Sequence, residues 1–376
     1  MFSESKKGAE IQIKMLKEIS KEYGLKINEE KSKILIFNNK NPPEKIENIK
    51  VYKTMKYLGV TVNNNCKDCY KDHKSELIKK AEKFAKMTYS ITAKSCSKII
   101  IGKAFWECIA IPSILHGAQA INFSETDIQK LQNIENKVHR SLIGAPIYTP
   151  LCVLRKEIGV KTIRTRIMQQ KLEFYNFIYN SEKTELIKKV VDDMKYTKMI
   201  YTWINDVDKI AGKLNKSLQD FKGYSKDSIK KSLEEWENNE MINQIKEMKS
   251  LQIYRDNFEK INSNSSHLYD NSFGSTLLFE ARTNSLPLEE KINKKNKKCK
   301  VCQIEEENLE HFLIKCPAYN TIRNQYKIFT DSKLESKDII RKLLFIDDKD
   351  MTEIINRKNL LRKMWEERTN KMKYLK

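Results

Sequence analysis

A mainly α protein with a small β-containing N-terminal segment is the fold class this sequence predicts, arranged as several units that end in a metal-binding module and a helical tail. Three observations carry that reading. Gly and Pro are scarce, at 10 and 7 among 376 residues, so little interrupts long helices. Apolar residues recur at three- and four-residue spacing through most of the chain, while alternating runs are confined to the first 65 or so positions. Finally, Cys299, Cys302, His311 and Cys316 form a C-x2-C-x8-H-x4-C array. Three thiolates and one imidazole suit tetrahedral, structural Zn²⁺, and the two-residue gap in the first pair lets both sulfurs reach one ion.

The elements follow in order. Residues 4–23 read as a helix, with Ile11, Met15, Leu16 and Ile19 on one face and Gly24 as its stop. KSKILIF (31–37) reads as a short strand, then comes the turn-rich NNKNPPEK, and KYLGVTV (56–62) completes a hairpin or sheet edge. Helical patterns cover 73–93 and 98–110, with Pro112 expected to begin a break. Ser124 and Asp127 form a capping-box start for a helix whose face is Ile128, Leu131, Ile134, Val138 and Leu142, ended by Gly144-Ala-Pro146. Thr149-Pro150 opens the next helix, with Pro suited to the first helical position, and 162–179 carries another. From 181 to 262 the chain is Lys/Glu-rich and helix-prone, anchored by Trp203 and Trp236. Asn262–Ser266 is the linker candidate, and 337–373 is a helical tail. The corresponding units are 1–65, 66–262, 263–290, 291–325 and 326–376.

Charge narrows the class of partner. Lys and Arg number 71 against 50 acids, a net +21, which favours a polyanion. Only 11 of the basic residues are Arg, and the chain is rich in Asn and Ile, a bias that an AT-rich genome also produces. Acids are interspersed, so part of this charge belongs to solvated helix faces. Eight Cys without a secretory leader point to a reducing compartment, so the expected location is intracellular, nuclear and/or cytoplasmic. The longest apolar stretches, near 99–101 and 109–115, are too short to cross a bilayer, and no membrane partner is expected.

A run of lysines, Lys291, Lys294, Lys295, Lys297, Lys298 and Lys300, leads into the first ligand. The loop 303–310 is strongly acidic, so phosphate contacts are expected from that flank and from Lys315 and Arg323. Phe312 and Tyr319 could stack on bases, with packing at least as good a reading for Phe312. Cys66-x2-Cys69-x3-His73 has ligand character but no fourth partner, and is read as non-metal. Asp347, Asp348 and Asp350 read as a loop or helix-start cluster, and His116 and His139 as packing or surface residues. Neither a Gly-rich phosphate loop nor a GxSxG element is present.

Taken in order, several segments resemble non-LTR (LINE-type, jockey-like) retrotransposon reverse transcriptases. Gly24-Leu25-Lys26-Ile27-Asn28-Glu29-Glu30-Lys31-Ser32 resembles the fourth palm motif, and Tyr57-Leu58-Gly59 the primer-grip hairpin. Ile114–Gly117, Leu131–Pro146 and Ala281-Arg282-Thr283-Asn284 are similar to later stretches, with Asn284 where Gly is usual. Cys299…Cys302…Glu307-Asn308…His311…Cys316-Pro317…Arg323 resembles the terminal zinc knuckle, with Asn308 in place of Thr. The resemblance implies a palm remnant over 1–65, a thumb-like or connection region over 66–262, a linker and helix over 263–290, the knuckle and the tail. It implies a Lys near the leaving pyrophosphate at Lys31, whose structural alternative is a solvated Lys at a helix–strand junction. It also implies nucleic-acid contact at Tyr57, Leu58 and Gly59, which otherwise form a simple hairpin edge.

In that family a Tyr/Phe-Ala-Asp-Asp signature lies just before the segment matching Met1–Glu4, and the first Asp here is Asp68. Polymerisation needs carboxylates that hold two Mg²⁺ ions. The chain alone is therefore expected to lack catalysis, with Mg²⁺ only if a separate palm completes it. The expected function is RNA and/or DNA template–primer binding through basic helices and the zinc knuckle. Two alternatives stand beside it: a host-adopted RNA-binding zinc-knuckle protein, and a non-functional zinc-stapled helical remnant.

Overall fold

A computed structural model describes residues 1–95, 97–196, 202–258, 266–293, 295–329, 334–345 and 350–374. Lys294, Asp347, Asp348 and the 262–265 part of the linker candidate lie outside the described residues. The architecture is mainly helical with a few short N-terminal strands.

Helix α1 (Lys6–Glu22) begins where the Ser5 side chain accepts the Gly8 N–H. Five short strands follow: β1 (Ile34–Leu35), β2 (Lys45–Ile46), β3 (Ile49–Tyr52), β4 (Thr54–Tyr57) and β5 (Val60–Asn63). β1 runs parallel to β3 and β2 antiparallel to it, while β4 and β5 form a separate hairpin. The expected pairing of 31–37 with 56–62 is therefore corrected. The strand at 31–37 is only two residues long and pairs with β3, which lies in the stretch after NNKNPPEK where no element is expected. Ile46 and Ile49, on the β2–β3 turn, are buried against Ile13 of α1, and that apolar contact stabilises strands too short to hold by hydrogen bonds alone.

α2 (Lys71–Thr92) and α3 (Lys98–Phe105) come next, α3 passing through a π turn (Trp106–Ala110) into α4 (Ile111–Ile114). Pro112 does not break this helix. The π turn lies just before Pro112, which sits in the first turn of α4 where its missing N–H costs little. α5 (Glu125–Ile143) carries the full Ser124–Asp127 capping box and stops at Gly144, φ 73°. α6 (Leu151–Ile158) and α7 (Ile163–Asn180) follow, the latter capped by Thr162. α8 (Glu185–Tyr196), α9 (Trp203–Lys213), α10 (Lys226–Glu247) and α11 (Gln252–Asp256) fill the Lys/Glu-rich stretch. The last helices are α12 (Phe273–Arg282), α13 (Glu289–Ile292), α14 (Asn320–Arg323), α15 (Ser336–Leu344) and α16 (Met351–Tyr374).

Three buried clusters organise these elements. The largest runs from Leu77 to Met364 and takes in α2–α6, α12, the Cys/His module and α16. A second, from Met168 to Leu233, joins α7–α10, with Trp203 and Trp236 packed against it. The third is the small α1–β3 cluster. A buried ion pair ties distant parts of the largest cluster: Glu157 of α6 and Arg282 of α12, 0% and 1% exposed, meet at 3.0 Å. Arg282 also donates to the Leu344 carbonyl at the end of α15, 2.6 Å. Among the described residues no helix is long and apolar enough to cross a membrane.

Candidate metal centre

The four ligands sit on two local structures that the sequence dictates. A tight hairpin brings Lys298 opposite Glu306, closed by Cys299 N–H to Glu305 O and Glu307 N–H to Lys297 O, both 2.8 Å. Its turn places Gln303 at φ 57°, with Gln303 N–H donating to the Cys299 carbonyl. The second structure is a π turn (His311–Lys315), opened by Asn308, whose side chain accepts the His311 N–H at 2.8 Å. Cys316 follows, and Pro317 then starts a short 3₁₀ turn.

The Sγ atoms of Cys299, Cys302 and Cys316 and a ring nitrogen of His311 all lie within 4.8 Å of one another. Tetrahedral Zn²⁺ with Zn–S near ~2.3 Å separates its sulfurs by about 3.8 Å, so a modest contraction closes this set on one ion. His311 is oriented for that role: Nε2 is 3.3 Å from Cys302 Sγ, while Nδ1 is 3.4 Å from Glu305 Oε2. A carboxylate on the other ring nitrogen is the usual arrangement for a ligating imidazole. The Cys299 thiol is held down at about 5, first by its hydrogen bond with the Cys316 thiol and also by the Val301 and Cys302 N–H groups. Cys316 is pushed up by the same partnership and by burial. The donor set fits a metal ion and is compatible with Zn²⁺.

Two buried carboxylates brace the module, and sequence reasoning missed both. Glu307, 1% exposed, takes a two-pronged bond from Arg368 of α16 at 2.7 Å to each oxygen, and its Oε2 accepts the Glu289 N–H. Glu289 in turn pairs with Lys300 at 2.9 Å. Phe312 packs edge-on to Tyr319 and to Trp365. The acidic character of 303–310 was legible, but that Glu307 turns inward to an Arg some sixty residues onward was not.

The other expected residues distribute as follows. Arg323 departs from its expected phosphate contact: it is 3% exposed and donates to Cys316 O and Asn320 Oδ1. Base stacking by Phe312 and Tyr319 is likewise corrected, since both are buried in packing that fixes the ligands. Lys295, Lys297 and Lys298 are exposed with no carboxylate within ion-pair distance among the described residues. Lys291 and Lys315 are exposed beside Glu290 and Glu310. Lys31 is exposed, and Asn28, whose side chain accepts the Lys31 N–H, shapes the turn that presents it.

Tyr57 and Leu58 are exposed at the β4–β5 tip, where Leu58 (φ 46°) and Gly59 (φ 86°) make the left-handed pair of a type I′ turn. His116 meets this turn, its Nε2 3.0 Å from Leu58 O, and a Cβ on Gly59 would stand 2.9 Å from the same nitrogen. Cys66 and Cys69 form no metal-capable group among the described residues; Cys66 instead contacts Asn38 Oδ1. His139 is buried, and burial together with the charges of Arg155, Arg166 and Lys103 holds it neutral, down at about 3.

Comparison with known proteins adds no assignment: no family model, curated protein or solved structure matches this chain.

Proposed function

We propose that this chain is a Zn²⁺-stapled nucleic-acid-binding protein of the non-LTR reverse-transcriptase type, corresponding to the C-terminal portion of that family and gripping RNA or DNA template–primer. One observation carries the reading: the Cys299/Cys302/His311/Cys316 cluster sits directly beside Lys295, Lys297 and Lys298, which are exposed and unpaired among the described residues. The net charge of +21 and the ordered resemblance described above support it. So does the β4–β5 tip, whose positive-φ turn lets backbone approach a strand closely.

Zn²⁺ would serve structure here, closing the hairpin onto the His311–Cys316 turn. The lysines would neutralise phosphates and release counterions, giving affinity with little sequence preference. Fluorescence anisotropy of a labelled template–primer across salt concentrations tests this. Affinity should fall steeply with salt, and replacing Lys295, Lys297 and Lys298 with Glu should flatten the log–log slope by up to about 0.9 per lost contact. A binding curve unchanged between low and physiological salt would sink the proposal.

A further inference from the structure

Between the two larger clusters lies a cavity of about 610 Å³, walled by α5, α6, the start of α7, the end of α9 and α10. That size falls within the ~300–1,000 Å³ typical of small-molecule sites, which favour such seams. Its most unusual lining residue is Arg155. Arg155 is half-buried, and among the described residues no carboxylate oxygen lies within ion-pair distance of its guanidinium. Nη2 reaches only the neutral Asn136 Oδ1, at 3.2 Å, and Nε has no partner at all.

Two acids lie near enough to attract it, Glu135 and Glu237. Glu135 accepts from Trp106 Nε1 and Gln132 Nε2, and Glu237 from the Thr162 N–H and the Thr165 hydroxyl. Neither reaches the guanidinium within ion-pair distance, so Arg155 keeps an unused donor on the wall of an open cavity.

The rest of the lining says what the anion would be attached to. The half-buried Trp236 ring and Lys213 line the same space, together with Asn215, Gln244 and the acids Glu237 and Glu240. A guanidinium takes phosphate through paired N–H groups, an indole stacks on planar rings, and side-chain amides match the mixed donors and acceptors of a base edge. A bare inorganic anion would leave most of the cavity unfilled. We propose that this cavity binds a nucleoside monophosphate, free or as the unpaired terminal nucleotide of a strand, with its phosphate on Arg155 and its base against Trp236. The strand-end source rests on the nucleic-acid reading above; the free-nucleotide source does not.

Calorimetric titration of the full chain with AMP, UMP, inorganic phosphate, a single-stranded oligonucleotide and a blunt duplex of the same sequence tests this, alongside melting of Arg155→Met and Trp236→Leu. Nucleotide or single strand should bind more tightly than inorganic phosphate. Arg155→Met should weaken that binding by about tenfold or more. Binding of AMP and UMP identifies the free nucleotide as a source, and binding of the single strand alone identifies the strand end. Three results would overturn the proposal: no binding of either, inorganic phosphate binding as tightly as AMP, or affinity unchanged in both variants. The first of these accompanied by salt-dependent duplex binding would overturn the cavity proposal while leaving the broader nucleic-acid reading standing. Trp236→Leu keeps the test decisive should Arg155→Met fail to fold.

Discussion

Replacing Arg282 with Met isolates the interaction that fastens α6, α12 and α15 together. Arg282 gives Glu157 Oε1 two hydrogen bonds, 3.2 Å from Nε and 3.0 Å from Nη2, and a third to Leu344 O at 2.6 Å. Glu157 is fully buried and otherwise receives only the hydroxyls of Tyr254 and Tyr269, at 2.9 and 2.6 Å. Met preserves much of the side-chain volume, so the cavity term is small. What remains is a buried carboxylate stripped of its cation and a helix-end carbonyl stripped of its donor. Breaking one side of such a pair costs about 3–5 kcal/mol, a large share of a typical domain's stability. Urea denaturation should show the midpoint falling by that amount with the slope unchanged. The double variant Glu157→Gln/Arg282→Met, which also removes the stranded charge, should recover a substantial part of the loss. A single variant within about 1 kcal/mol of the parent, or a double variant equal to the sum of its singles, would refute the reasoning.

Two further predictions concern the metal centre and pH. Purified protein should carry about one Zn per chain by elemental analysis, and Cys316→Ser should bring that well below one. Hydrogen exchange in that variant should lose protection over 297–323 while α5 amides keep theirs, and a parent protein without bound metal would contradict the cluster as described. Burial pushes the Glu280 carboxyl up from its ordinary 4.5 to about 7. The folded state therefore holds the proton more tightly, so Glu280's contribution is full below about pH 4.5 and is lost as pH rises through 7. Urea midpoints of Glu280→Gln should lack that decline, and pH profiles running parallel to the parent's would count against it.

Local grammar made much of the helical frame readable. The Ser124–Asp127 box, Gly144 and the Thr162 cap each act within one turn of the residue that reveals them, so spacing alone placed α5 and α7 closely. The four-ligand cluster was legible for the same reason, since its members lie within eighteen positions. What escaped were features decided by distant partners. β2 and β3 form just after an Asn- and Pro-rich run because Ile46 and Ile49 find Ile13 on α1. Pro112 reads as a helix break, yet it sits in the first turn of α4 just after a π turn. Arg323 reads as a phosphate contact and Glu307 as part of an acidic loop, and nothing within a few residues of either marks it as buried.

That last misreading bears on how the centre works. The hairpin carrying Cys299 and Cys302 has two independent fasteners. On one side the ligand set faces His311 and Cys316; on the other, Glu307 is clamped by Arg368 of α16, with Glu289 linking the same pair to Lys300. Lys297 and Lys298 lie on this braced hairpin and Lys295 just before it, all three exposed. Three mobile lysines on a loop would lose side-chain and backbone entropy on meeting a phosphate chain. Held on a doubly fastened hairpin, they lose only the side-chain part. Of the acids in 303–310 only Glu307 turns fully inward, spending its charge on the Arg368 clamp; Glu305 and Glu306 stay exposed beside the lysines, so a polyanion would meet mixed charge on this hairpin.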